Sequence, residues 1–439
     1  MTAFYSKIVG IGGWFMDKDV IKQVILEQEK AARGVTVGVQ REKLSLIDSL
    51  VPLAHAVVIS GVRRSGKSTL LRQILKKHYG DEVYFVDFED ERFVNFTTQD
   101  FNSLYEILIE LYGLKRVFFF DEIQNIEDWE LFLRRIHREK NKVFITGSNA
   151  SLLSSELSTR LTGRHIVVEL LPFSFGEYLH YHQVSYTEKS FLITQEKAML
   201  KKMFNEFLEN GGMPEYLEHK NPLVLRNIYE NILYKDVIVR YEVREVKAIR
   251  ELTLDILSNI GTPVSYTNIK NNLNLGSVNT VKNYIHYLEN AYLIFTLDRF
   301  SFSVSQQILM QKKIYAIDTC LSKQIAFHFS KKQGRYLENI VYLELRRRYK
   351  EIYYYKTKDN LEVDFLVREG NQIVLLIQVA ETLKDSKTRA REYKALTQAM
   401  KELGVERGLI LTQEEEITDP EWPNIEVMAI YHWLLKRDH

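Results

Sequence analysis

The stretch ISGVRRSGKSTLLRQIL, beginning at Ile59, sets Gly61 and Gly66 around four residues and follows the second glycine with Lys67 and Ser68. The apolar run Ala56–Ser60 before it suits a short buried parallel strand, and TLLRQILKKH after it is helical in pattern. Strand, glycine loop and helix in that order suit a loop wrapped around phosphates. The glycines let backbone N–H groups come close, and a helix N-terminus favours negative charge. Lys67 is expected to reach the β- and γ-phosphates, and Ser68 to hold Mg²⁺. The expected nucleotide-binding set is Gly61, Arg63, Arg64, Ser65, Gly66, Lys67, Ser68 and Thr69.

Segments 82–88, 117–120, 142–146 and 165–169 read as further strands alternating with helices, which predicts a parallel α/β sheet. Asp121 and Glu122 end the aromatic run VFFF, at the strand edge where open α/β sheets hold ligands. Asp121 can orient a hydrated Mg²⁺, and Glu122 can polarise an attacking water. In Thr146-Gly147-Ser148-Asn149, Asn149 or Ser148 either contacts a γ-phosphate or caps the next helix. Arg160 and Arg164, in STRLTGRH, are candidate arginine fingers, and Arg164 is the better placed because a strand follows it.

A chain of 439 residues exceeds one ordinary core, so about two to four domains are expected. Its net charge of +1 argues against a uniformly basic coat for nucleic acid and leaves room for a local basic face. Cys320 is the single cysteine, which excludes a disulfide framework or a cysteine zinc site and fits a reducing cytoplasm. No apolar run is long enough to span a membrane, and the opening MTAFYSKIVGIGGWF lacks the layout of a secretory signal. A soluble cytoplasmic protein is the expectation.

Residues 17–33 form an amphipathic pattern stopped by Gly34, most simply a packing accessory. Residues 173–244 are largely helical in pattern, interrupted at Gly211-Gly212-Met213-Pro214, and suit either a nucleotide-sensing lid or a spacer. Helical segments at 249–260, 266–273 and after Ser277, with a turn at Asn274-Leu275-Gly276, make a helix-turn-helix pattern, and 293–302 alternates as a wing strand does. Thr280, Lys282, Asn283 and His286 are the side chains that would face a DNA groove; such modules also serve as packing or protein-contact units. Further on, a helix opens at Gly334 and runs through Arg348, and 363–367 and 373–379 read as strands. Arg346-Arg347-Arg348-Tyr349-Lys350, with aromatics at 353–355 and Lys356 and Lys358, suits contact with a phosphate backbone. A basic run at a helix end also suits solvent and the helix dipole.

GVRRSGKSTLL, YFVDFED, FFFDEIQ, ITGSNASLL, LTGRHIVVELLPFSFGEYL, GGMPEYL and YENILYKDVIVRY, in that order, closely resemble a large group of bacterial and archaeal AAA+-type ATPases. The resemblance covers the chain from about Arg41 into the 400s. It implies an α/β protein: a P-loop AAA+-type parallel-sheet core at 41–172 that binds ATP and Mg²⁺, a helical lid at 173–245, and a winged-helix domain at 246–315. Residues 316–439 would form a C-terminal α/β domain related to PD-(D/E)XK nucleases. Residues 1–40, an N-terminal extension with the amphipathic helix, depart from the group's usual short start. In the nuclease pattern a helical glutamate, a strand aspartate and an acid-x-lysine pair converge on Mg²⁺. Glu338 and Asp364 match, while Gln378 stands at the third metal-ligand position and Ala380 at the lysine position. Glutamine adds no negative charge and alanine no ammonium, which argues against strong cleavage. Lys356, Lys358 and Lys384 are the candidate replacements for the lysine.

The expectation is a Mg²⁺-dependent ATP-binding and ATP-hydrolysing protein that couples nucleotide state to DNA binding or processing, away from membranes. It would be a homo-oligomer if Arg164 completes a neighbour's site. The alternative is a nucleotide-gated signalling switch whose partners are proteins.

Overall fold

A computed structural model describes residues 16–32, 37–150, 163–326, 333–417 and 419–436. They fall into two compact units. The first holds the described residues up to Ser60, Lys67–Gly147 and the strand ending at Glu169; the second holds Gly61–Gly66, Ser148–Ala150 and the described residues after Glu169.

The first unit is built on five parallel strands in the order β2-β3-β4-β1-β5. They are β1 (Ala56–Ser60), β2 (Tyr84–Asp87), β3 (Val117–Asp121), β4 (Lys142–Gly147) and β5 (His165–Glu169). Every residue of β1 is buried, as its apolar run requires for a strand covered on both faces. In β3 successive phenylalanines point to opposite faces. Phe118 and Phe120 join a hydrophobic core cluster, while Phe119 stacks on Phe144 with ring centroids 4.7 Å apart. A buried phenylalanine contributes about 3 kcal/mol, so this one strand anchors both layers.

The amphipathic segment near the N-terminus is the helix Lys18–Ala32. Ile21, Val24 and Ile25 are fully buried in the same cluster as Val86 and Phe88. From the next turn, Gln28 makes a two-way bond to β2: its Nε2 donates to the Asp87 carbonyl at 2.7 Å, and its Oε1 accepts from the Asp87 N–H at 2.9 Å. The helix thereby acts as a sixth neighbour on the β2 side of the sheet.

The second unit begins its helical part with Phe175–Tyr181, closed by a reciprocal Ser174/Glu177 capping box. Thr194–Asn210 follows and stops at Gly211, whose φ of +66° suits glycine. A side chain there would also collide with Asp318, whose buried carboxylate accepts from the Gly212 and Leu321 N–H groups at 2.6 and 2.9 Å. Pro214–His219 and Pro222–Asn231 come next, and the latter widens into a π-helical segment, Ile232–Val239.

Helices Val246–Ser258, Tyr266–Asn272 and Val278–Asn290 then surround a small antiparallel sheet, β6 (Pro263–Val264), β8 (Lys312–Ala316) and β7 (Ile294–Leu297), with β8 central. Ser277 caps the third helix through the Thr280 N–H, as its position before the apolar run suggests. The expected wing strand is shorter than its pattern: β7 ends at Leu297, and a short helix, Val304–Leu309, follows.

The last part is a mixed sheet in the order β13-β12-β11-β10-β9. Its members are β9 (Glu351–Lys356), β10 (Glu362–Glu369), β11 (Gln372–Ala380), β12 (Gly408–Thr412) and β13 (Ile425–Ala429). β9, β10 and β11 are antiparallel neighbours; β11, β12 and β13 are parallel, with helix Ser386–Leu403 as the crossover between β11 and β12. Helix Gln333–Arg348 precedes this sheet and is buried over most of its length. No helix among the described residues is long and apolar enough to cross a membrane.

Candidate nucleotide-binding site

The loop after β1 is built on backbone that glycine alone accommodates. A Cβ on Gly61 would stand 2.1 Å from the Leu170 carbonyl oxygen, and Gly66 has a φ of +93°. Between them the Ser65 N–H closes a turn onto the Val62 carbonyl at 3.2 Å. Arg63 and Arg64, expected among the nucleotide-binding residues, direct their side chains to carboxylates of the second unit. Arg63 forms a fork on buried Asp236, with Nε and Nη2 donating to its two oxygens at 3.1 and 3.0 Å. Asp236 lies on the π-helical segment, a local geometry common at functional sites. Exposed Arg64 pairs with Glu215 at 3.3 Å, a contact worth little to stability.

Within the first unit, Lys67, Ser68 and Thr69 open the helix Lys67–His78, and Asp121 closes β3. The Lys67 ammonium stands 3.2 Å from Glu122 Oε1, both groups being almost wholly buried. Asp121 accepts hydrogen bonds from the Ser68 and Thr146 hydroxyls. Thr146 Oγ1 also accepts from the Glu122 N–H at 2.9 Å, so one hydroxyl bridges both acidic residues. Glu122 takes the left-handed conformation (φ +48°, ψ +39°), and Gln124 Nε2 donates to its other carboxylate oxygen. Burial raises the Asp121 carboxyl above its ordinary value, against the two hydroxyls that pull it down. Asp87, its register neighbour on β2, is pushed up to about 6 by burial and by the Asp121 charge.

Asp87, Gln124 and Thr146 join the site without a motif of their own in the sequence. YFVDFED and FFFDEIQ contain the first two, and the polar residue ending the apolar run VFIT is the only local signal for the third.

Asn149 is buried two residues beyond the end of β4. Arg164 is exposed directly before β5, and its carbonyl accepts from the Ala56 N–H at the start of β1. It therefore lies at the end of the sheet opposite Lys67, separated by the five residues of β1, or about 16 Å of strand. There it lines a cavity of about 740 Å³ with His55, His137, Arg138, Lys140 and Lys142. Arg160 lies outside the described residues.

In the second unit, Glu338 and Asp364 are brought together, but around a lysine: Lys313 Nζ is 2.9 Å from Glu338 Oε1 and 3.1 Å from Asp364 Oδ1. Gln378 is adjacent and turns its amide nitrogen to Glu392. Ala380 is buried at the end of β11. Lys356 pairs with Glu362 at 3.4 Å, and Lys358 and Lys384 are exposed. The expectation that Arg346, Arg347 and Arg348 track phosphates meets a different use. Arg346 lies over the Phe295 ring, Arg347 donates to the Pro172 carbonyl, and Arg348 bonds Glu344 and the carbonyls of Trp433 and Leu434. Each guanidinium is spent on the chain itself, because the helix end is packed rather than solvated. On the helix Val278–Asn290, Lys282, Asn283 and His286 are exposed and Thr280 is half-buried.

The parallel order β2-β3-β4-β1-β5, the glycine loop after β1 and the acidic pair after β3 define an AAA-type P-loop ATPase domain, and the family model for the AAA domain matches residues 54–179. Two further models, domains of unknown function DUF8612 and DUF4143, match residues 201–331 and 333–433. An uncharacterized protein of Methanocaldococcus jannaschii is 34% identical over 449 residues, spanning 98% of each chain. The chain belongs to the same family as that archaeal protein. An uncharacterized protein of Haemophilus influenzae is 29% identical over 394 residues, covering 86% of this chain and 94% of its own. Among solved structures, the Aeropyrum pernix ORC1 protein in complex with DNA aligns at 13% identity over 72% of this chain and 97% of its own, with a TM-score of 0.30. That score carries no functional argument.

Proposed function

We propose that the chain binds ATP with Mg²⁺ and hydrolyses it, and that nucleotide state governs DNA binding or processing by the C-terminal part. The observation that carries the ATPase reading is the group Lys67, Ser68, Asp121, Glu122 and Thr146, held by one set of hydrogen bonds. The Ser68 hydroxyl and the Asp121 carboxylate are hard oxygen donors already in contact, a donor pair that fits hydrated Mg²⁺. When bound, the ion neutralises charge on the phosphates. Lys67 exchanges Glu122 for the β- and γ-phosphates, which frees the Glu122 carboxylate to accept a proton from the attacking water. Thr146 fixes Asp121 through its side chain and Glu122 through its backbone. Arg164, remote from Lys67 in its own chain, acts on a neighbour's nucleotide in a homo-oligomer. Asn149 reads the γ-phosphate.

The DNA reading rests on the region 246–315 acting as a winged helix, with Lys282, Asn283 and His286 as its solvent-facing polar set. A second reading has its own support. Phe302, Val304, Ile308 and Leu309 are all more than 70% exposed within eight residues, an apolar strip of the kind that docks protein. ATP turnover measured with and without DNA, at several salt concentrations, separates the two. Stimulation that fades with salt supports DNA coupling, and indifference to DNA of every form supports the protein-gated switch.

A further inference from the structure

The paired acids Glu338 and Asp364 resemble a nuclease metal centre, so whether a divalent ion fits them is a question of geometry. Lys313 enters from β8, the middle strand of its small sheet, where Pro263 and Leu297 flank it in register. Its side chain is 1% exposed. The single ammonium reaches three carboxylates: Glu338 Oε1 at 2.9 Å, Asp364 Oδ1 at 3.1 Å and Glu362 Oε1 at 2.8 Å. A divalent ion shared by Glu338 and Asp364 would sit about 2.0–2.6 Å from those same oxygens, in space the Nζ already holds.

Other groups crowd the same carboxylates. Tyr315, two residues along the same face of β8, donates to Glu338 Oε1 at 2.7 Å. A Cβ on Gly261 would lie 3.1 Å from Glu338 Oε2, so backbone closes that side. Asp364 Oδ2 accepts from the Val379 N–H at 2.9 Å. Gln378, the third expected ligand, accepts from the Asp364 N–H and donates to Glu392, so its amide is already tied to backbone and to a different carboxylate. Among the described residues, no three His, Cys, Asp or Glu side chains are grouped so as to hold a metal ion.

We infer that the Lys313 ammonium permanently holds the cation position of the Glu338–Asp364 centre, which therefore takes no divalent metal and serves as an ionic joint binding β8 to the C-terminal sheet. The lysine absent at position 380 has thus not been replaced by a catalytic one. The cation itself has been replaced. Burial of the whole group and the Asp364 charge push the Glu338 carboxyl up to about 7, as befits three carboxylates around one ammonium. A neighbouring Asn339 reinforces the joint by bonding both the N–H and the carbonyl of Ala316, the last residue of β8.

The test is Mn²⁺ titration of the full chain without nucleotide, read by the EPR signal of free Mn²⁺. The native protein and Asp364→Asn should give superimposable isotherms. Lys313→Ala should gain one Mn²⁺ site per chain, at least tenfold tighter than any in the native protein, and lose it again when combined with Asp364→Asn. Binding by the native chain that Asp364→Asn removes would overturn the inference, as would a folded Lys313→Ala that gains no site. Should Lys313→Ala fail to fold, the native and Asp364→Asn isotherms decide the matter alone.

Discussion

Lys67 and Glu122 hold each other at 3.2 Å in almost complete exclusion from water. For the phosphates of a nucleotide to reach the ammonium, they must displace the Glu122 carboxylate from it. Glu122→Gln is therefore expected to bind ATP with affinity equal to or better than the parent, with turnover lowered at least about a hundredfold. Lys67→Ala should lose the affinity itself. Equilibrium binding of a fluorescent ATP analogue, beside steady-state phosphate release, distinguishes the two. Parent-like phosphate release by Glu122→Gln would remove this residue from the role.

Thr146 gives one hydroxyl to two partners, so Thr146→Val, similar in shape, strands both the Asp121 oxygen and the Glu122 N–H. A buried group left unsatisfied costs about 1–3 kcal/mol. Turnover should drop by about tenfold or more while the fold survives, and Thr146→Ser should recover most of it. Equal turnover in the valine and serine variants would show the bridge to be idle.

The Arg63–Asp236 fork ties the phosphate loop to the π-helical segment. Removing one partner of a buried pair costs roughly 3–5 kcal/mol, and Arg63, with 19% of its side chain exposed, places this pair toward the lower end. Asp236→Asn should lower the denaturation midpoint and weaken nucleotide binding together. A double-mutant cycle with Arg63→Met should return a coupling above about 1 kcal/mol. Additive effects on ATP affinity would mean the fork is structural decoration.

Burial and the neighbouring Asp318 charge push the Cys320 thiol up to about 12. A raised acid pKa keeps the group protonated in the folded state while the unfolded chain ionises near the ordinary value of about 8.5. Its contribution to stability therefore falls as pH rises from there toward 12. At pH 8 the native chain should resist a thiol-specific disulfide reagent, and one thiol per chain should react once denaturant is added. Stoichiometric labelling of the native protein at that pH would contradict the burial.

The strands of the nucleotide-binding unit were legible because a fully covered parallel strand is written as an unbroken apolar run, and VFFF and VFIT are such runs. Helix boundaries near Ser277 and Gly211 were legible because capping chemistry is local. The long-range partners were not. Asp236 comes 173 residues after Arg63, and no spacing rule links them. Lys313 reads in KKIYA as one of two solvated lysines; only its shared strand face with Tyr315 hints that it turns inward. The arginines 346–348 misled for the converse reason, since charge is visible in a sequence and the packing that consumes it is not.

The pairing of Gln28 with the backbone of Asp87 has a consequence for handling the protein. β2 is one of the two outermost strands of its sheet, and an outermost strand is a template for another chain. The side-chain amide of Gln28 imitates a peptide group there, and the apolar face behind it shields the strand's flank. A truncation that begins after this helix would strip the cover from an aromatic-rich sheet and leave it open to edge-to-edge aggregation. The segment that looks most dispensable to nucleotide chemistry is thus the one that covers the β2 edge of the sheet.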